Sequence, residues 1–91
     1  MIWFGAARFA RRKDFFDTDQ WLRLRYRVLR HHGGRCQLCG WSPKKGLGGL
    51  QVDHIKPRSK YPRLCLTFSN LQVLCRRCNL GKSNIYEDDW R

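Results

Sequence analysis

The stretch Asn70-Leu71-Gln72-Val73-Leu74-Cys75-Arg76-Arg77-Cys78-Asn79-Leu80-Gly81-Lys82 decides how the rest of the chain is read. Leu71-Gln72-Val73-Leu74 reads as a short strand returning to a partner earlier in the chain. From Arg76 onward the residues read as a short helix that carries the second cysteine pair, Cys75-x-x-Cys78. Gly81 weakens that helix by about 1 kcal/mol relative to alanine. Strand, cysteine pair and helix thus follow one another without a linker.

Working outward, the matching pair is Cys36-x-x-Cys39. Two residues between thiolates let one turn offer both sulfurs to one ion, and two such turns complete a tetrahedral four-sulfur shell. That shell suits zinc, with a rubredoxin-like iron site as its rival on ligand grounds. Four protein ligands leave no open position, so the role expected of Cys36, Cys39, Cys75 and Cys78 is structural, with one Zn²⁺ per chain. The fifth cysteine, Cys65, has no such partner and reads as a small buried thiol. The two pairs lie farther apart than in a plain zinc ribbon, so the segment between them has a job of its own.

That segment opens with a Gly- and Lys-rich loop, Ser42 to Gly49. Leu50-Gln51-Val52-Asp53-His54-Ile55 then alternates apolar and polar residues as a half-buried strand does, and Pro57 closes it. A polar, basic loop leads to the returning strand. Before the first cysteine pair a helix is expected from about Thr18 to His31, capped by Thr18 or Asp19. Trp21, Leu22, Leu24, Val28 and Leu29 form its apolar face, and Gly33-Gly34 ends it. His31 and His32 suit the helix C-terminus electrostatically. Residues 1–17 are a basic, aromatic-rich arm: a DNA-contacting tail, a packing segment over the core, or a poorly ordered extension. The expected order is helix, knuckle, strand, loop, strand, helix, an α+β class, with the arm preceding a domain over residues 18–91. There is no repeat and no low-complexity tract.

Ninety-one residues bury a modest core, which is why a metal staple is expected. Nineteen Lys and Arg against seven Asp and Glu leave a formal charge of +12. Such a charge suits a polyanion, because each phosphate neutralised releases condensed counterions; a merely soluble basic surface is the plainer alternative. Arg23, Arg27 and Arg30 line one helix face and are candidate phosphate contacts, as are Lys56 and Arg58 on the basic loop. No stretch approaches the ~18 apolar residues of a membrane span. The apolar Met1 to Ala7 precedes the basic cluster Arg8 to Lys13, the reverse of a secretory signal. The expected location is cytoplasmic, where cysteines serve as metal ligands or free thiols rather than disulfides.

Val52-Asp53-His54-Ile55-Lys56-Pro57, Ser69-Asn70-Leu71-Gln72 and Cys78-Asn79-Leu80-Gly81-Lys82-Ser83-Asn84 together resemble the HNH nuclease family of colicin DNases, phage resolvases, homing and restriction enzymes and CRISPR effector domains. The resemblance runs from Cys36 to Asn84 and leaves out the arm and first helix. It implies a small zinc-stabilised ββα-metal (HNH) domain, here with an additional N-terminal helix. It places Asp53 and Asn79 as ligands of a catalytic ion and His54 as general base. Asn70 steadies the hairpin loop and the base, and Lys82 stands near the scissile phosphate, also contacting DNA. Carboxylate and amide oxygens suit Mg²⁺ or Mn²⁺ better than zinc.

The implied activity is hydrolysis of double-stranded DNA, leaving 5′-phosphate and 3′-hydroxyl ends. No recognition helix is evident, and arginines on phosphate carry no base information, so weak specificity is expected. One active site cuts one strand, so a monomer nicks; dimerisation on DNA or association with other DNA-processing proteins would extend that. Small free-standing members of this kind are common in phages and prophages. The rival reading is a non-catalytic zinc module that binds nucleic acid, which has no need of a base beside a carboxylate. Neighbouring strand residues point to opposite faces, so Asp53 and His54 serve one phosphate only if the strand ends or twists there.

Overall fold

The computed structural model describes residues 3–91, so Met1 and Ile2 of the arm lie outside the described residues. Strand β1 (Leu50–His54) pairs antiparallel with β2 (Leu71–Cys75), setting Asp53 opposite Gln72 and His54 opposite Leu71. Alternation along β1 turns Gln51 and Asp53 to one face and Val52 and His54 to the other. All five residues of β2 are buried, so its apolar run carries no alternation. The two-stranded sheet packs against helices α2 (Asp19–His32) and α3 (Arg76–Lys82).

Helix α2 begins where the sequence asks it to. The Thr18 hydroxyl accepts the Trp21 N–H at 3.3 Å and donates to the Phe15 carbonyl at 2.7 Å. Gly33, with φ of 79°, stops it one residue later than expected. Trp21, Leu24, Val28 and Leu29 are buried, but Leu22 is 47% exposed. Leu22 lies seven residues before Leu29 on the same side of the helix; the packing that covers Leu29 does not reach back two turns.

Over residues 3–17 the arm packs. Helix α1 (Ala6–Ala10) lies against the 3₁₀ turn Pro62–Leu64. Phe15 is fully buried in the same core as Trp21 and Leu24, and a run of aromatic contacts joins Trp3, Phe9, Phe15 and Trp21 at centroid separations of 5.3–5.7 Å. Ala10 shares that core. No helix among the described residues is long and apolar enough to cross a membrane.

Candidate active site

The knuckle comes first because it fixes the ends of the elements around it. Cys36 and Cys39 flank a turn closed by the Gly40 N–H on the Cys36 carbonyl at 2.9 Å, with Gly40 at φ of 82°. Cys75 ends β2 and caps α3, its sulfur accepting the Cys78 N–H at 3.5 Å; the Cys36 sulfur accepts the Cys39 N–H at 3.4 Å in the same way. The four sulfurs lie within 4.8 Å of one another, and those of Cys39 and Cys75 are 3.8 Å apart. A tetrahedron with metal–sulfur bonds of ~2.3 Å has edges of ~3.8 Å, so the donor set fits a zinc ion. Their acidities diverge sharply. Burial opposes ionisation of Cys36, but N–H groups of Cys39, Cys75 and Leu38 and the Cys39 thiol outweigh it and bring Cys36 to about 6. Burial, then hydrogen bonds with the thiols of Cys75, Cys39 and Cys36, push Cys78 up to about 12. Holding all four as thiolates this close together would need a cation between them.

Gln37, inside the first pair, was not singled out by its sequence context. Its backbone N–H donates to the Val73 carbonyl at 2.9 Å and its side-chain oxygen accepts the Val73 N–H at 2.7 Å. The outward N–H and carbonyl of Val73 are thereby satisfied and the knuckle is bound to β2.

The hairpin and α3 frame a cavity of about 390 Å³ lined by Asp53, His54, Asn79 and Arg58, with Arg11 and Phe16 contributed by the arm. β1 ends at His54, and there both neighbours reach the same cavity. The His54 ring stacks on Trp21 of α2 at 5.0 Å between centroids and 21° between planes. Its Nε2 lies 2.9 Å from the Cys65 carbonyl. A carbonyl only accepts, so Nε2 carries the hydrogen of the neutral ring and Nδ1 is the basic nitrogen. Burial, assisted by the charges of Arg58 and Lys82, holds His54 below the ordinary histidine value, against the Cys65 carbonyl and Asp53, which act upward. The surroundings thus favour the neutral ring. Cys65 is a fully buried thiol; what it offers the site is its backbone oxygen, which no residue-type pattern reveals.

Asn70 is buried and cross-links the loop after β1. Its Oδ1 accepts the Lys56 N–H at 3.0 Å, and its Nδ2 donates to the carbonyls of Lys56 at 3.0 Å and Leu64 at 3.3 Å. Leu64 directly precedes Cys65, so this loop is the one that presents the oxygen to His54. Asn79 donates its Nδ2 to Gln51 Oε1 at 2.6 Å, leaving Oδ1 without a donor among the described residues. Asp53 Oδ2 takes Lys82 Nζ and Gln72 Nε2, each at 3.0 Å, and Oδ1 likewise has no protein donor among the described residues. Both residues line one cavity, and each keeps one oxygen without a protein donor among the described residues, a donor type that fits a hard divalent cation.

Lys82 departs from expectation. Instead of facing outward as a point charge, it is 6% exposed, and its Nζ also reaches the carbonyls of His54 at 3.2 Å and Ile55 at 3.3 Å. A buried ammonium needs a counter-charge and acceptors for its hydrogens, and Asp53 with the end of β1 supplies them. The cations that do line the cavity are Arg11 and Arg58; the Arg58 guanidinium carbon lies 4.6 Å from the Phe15 ring centre and 4.7 Å from that of Phe16, with a hydrogen bond to the Ala10 carbonyl. Arg23, Arg27 and Arg30 are exposed on α2, with Arg27 over the Phe68 ring at 5.5 Å; Lys56 is exposed and lies over Tyr61 at 5.2 Å.

Comparison with protein families matches the HNH endonuclease model to residues 36–84, more than half of the chain. Comparisons with curated proteins and with solved structures gave no match. The matched span opens on the first knuckle cysteine and closes two residues past Lys82, so it holds both cysteine pairs, the hairpin and α3. With that geometry and that match, the chain belongs to the HNH endonuclease family.

Proposed function

We propose that the chain is a metal-dependent DNA endonuclease in which His54 is the general base, Asp53 and Asn79 hold a catalytic Mg²⁺ or Mn²⁺, and the four cysteines hold a structural Zn²⁺. The observation that carries this reading is the fixed tautomer of His54: its hydrogen is committed to Cys65, and its bare Nδ1 belongs to a ring on the cavity that Asp53 and Asn79 line. When bound, a divalent ion supplies Lewis-acid stabilisation to the phosphate and its leaving oxygen. His54 Nδ1 takes a proton from the attacking water, and the Cys65 carbonyl stabilises the imidazolium that results. Asn70 keeps that carbonyl in place through the loop. Arg58, lying beside the Phe15 and Phe16 rings, offers planar donors to a phosphate. Lys82 holds Asp53 from behind as its buried counter-ion.

Arg23, Arg27, Arg30 and Lys56 add phosphate contacts that carry no base information, so cleavage is tolerant of sequence. A single site in a monomer nicks double-stranded DNA, leaving 5′-phosphate and 3′-hydroxyl ends, in the cytoplasm and in a phage or prophage setting. The test is supercoiled plasmid with Mg²⁺ or Mn²⁺. A positioned base contributes roughly 10²–10⁴ in rate, so His54→Ala should remove nicking while zinc content and DNA affinity stay at wild-type levels. Nicking by His54→Ala at the wild-type rate would leave a non-catalytic zinc module that binds nucleic acid as the better account.

A further inference from the structure

Gln72 is a polar side chain in a strand that has no evident use for one. Its neighbours Leu71, Val73 and Leu74 are 0% exposed, and so is Gln72. Burying an amide costs free energy unless each of its polar groups is paired, and a leucine would fill this position without that demand. Every polar atom of Gln72 is in fact paired. Nε2 donates to Asp53 Oδ2 at 3.0 Å and to the Asp88 carbonyl at 3.0 Å, and Oε1 accepts the Trp90 N–H at 2.8 Å. The partners fix the amide's orientation, because a flip would turn Oε1 against two acceptors and Nε2 against a donor.

We infer that Gln72 is a positioning residue for the catalytic ion, selecting which oxygen of Asp53 faces it and tying that choice to the C-terminal segment. This rests on Asp53 being a ligand, as proposed above. Asp53 and Gln72 are register partners on adjacent strands, so the amide meets the carboxylate without spanning any loop. Gln72 and Lys82 both donate to Oδ2. With that oxygen occupied twice, the carboxylate cannot rotate freely about its axis, and Oδ1 is the oxygen left for a cation. The Asp88 carbonyl and Trp90 N–H grip the far side of the amide, so residues outside the family-matched span 36–84 steady a ligand inside it. Hydrogen-bond partners behind metal ligands act in this way, and losing one typically costs 10–100-fold in metal affinity or activity.

The experiment is a Mn²⁺ titration of the zinc-loaded full-length chain without DNA, read by loss of the free-ion electron paramagnetic resonance signal. Gln72→Met keeps the length and shape of the side chain and removes its donors; it should bind Mn²⁺ roughly 10–100-fold more weakly, with zinc content and DNA affinity unchanged. Trp90→Pro removes the N–H that donates to Oε1, along with a partly exposed indole, while keeping both donors to Asp53 Oδ2, and should shift Mn²⁺ affinity in the same direction by less. If Gln72→Met bound Mn²⁺ as tightly as wild type while Asp53→Ala lost it, the inference would fall and the Asp53 assignment would stand. If Asp53→Ala kept its Mn²⁺, both would fall. Should Gln72→Met not fold, Trp90→Pro decides, and unchanged Mn²⁺ affinity there overturns the inference.

Discussion

At the residue scale, Asn79 and Asp53 would divide the work of ligand and anchor differently in the proposed ion site. Asp53 is held by two donors on one oxygen, whereas Asn79 has its amide nitrogen spent on Gln51 and a neutral oxygen to offer. An amide oxygen binds a hard cation more weakly than a carboxylate, so removing it should be partly reversible by mass action. Asn79→Ala is expected to lose most cleavage at low Mg²⁺ and to regain part of it at raised Mn²⁺, with zinc content unchanged. Normal cleavage by that variant at low Mg²⁺ would remove Asn79 from the ligand set. These side chains were legible in the sequence because their chemistry is written in residue type and spacing. The partners that hold them were less so. The Cys65 carbonyl leaves no mark in a residue pattern, and Gln72 left one only as a polar residue within an apolar strand. Lys82 was legible as a cation but not as an inward one, since which way a lysine turns depends on where its counter-charge sits in space.

At the scale of elements, the end of α2 meets the knuckle through a hydrogen bond between Gln37 and His32. Gln37 Oε1 is committed to the Val73 N–H, so its Nε2 faces His32 Nδ1 at 3.1 Å, and that ring nitrogen must be bare. The hydrogen of neutral His32 then sits on Nε2, which is buried with no partner among the described residues. A protonated ring would set one N–H against another. Burial first, then the charges of His31 and Arg91, hold His32 below its ordinary value, against Asp89. The unfolded chain therefore takes up this proton more readily than the folded one. This contribution to stability is complete above about pH 6.5 and is lost as pH falls through the lowered folded value. Urea unfolding with zinc in excess, between about pH 5.5 and 7.5, should show a shallower loss on acidification for His32→Gln than for wild type. Identical slopes would assign the acid sensitivity to other groups. The helix itself could be read from its cap, its apolar stripe and Gly33-Gly34; this junction could not, because it joins residues of separate elements.

For the whole molecule, the knuckle and the arm are two ways of enlarging a small core. The four-cysteine cluster joins the turn after α2 to the junction of β2 and α3, so the free energy of binding a zinc ion there would be largely folding free energy. Cys75→Ser, or removal of zinc by a strong chelator, should abolish cooperative unfolding and the dispersion of amide NMR signals; a metal-free chain that kept both would refute the staple. The arm supplies Phe15 and Ala10 to the core and Arg11 and Phe16 to the cavity wall, a role its composition left undecided. The pairing of Asp53 with Gln72 carries a further consequence for how such a chain can change its length over generations. A one-residue insertion between Leu71 and Gln72 would turn every following side chain to the opposite face, parting Asp53 from its amide and carrying Cys75 away from the other three sulfurs. The interval from Asn70 to Cys75 is therefore closed to insertion and deletion. The exposed residues 44–48 lie between one cysteine pair and the hairpin with no such register to keep. Lineages of this chain are free to grow or shrink there without disturbing chemistry.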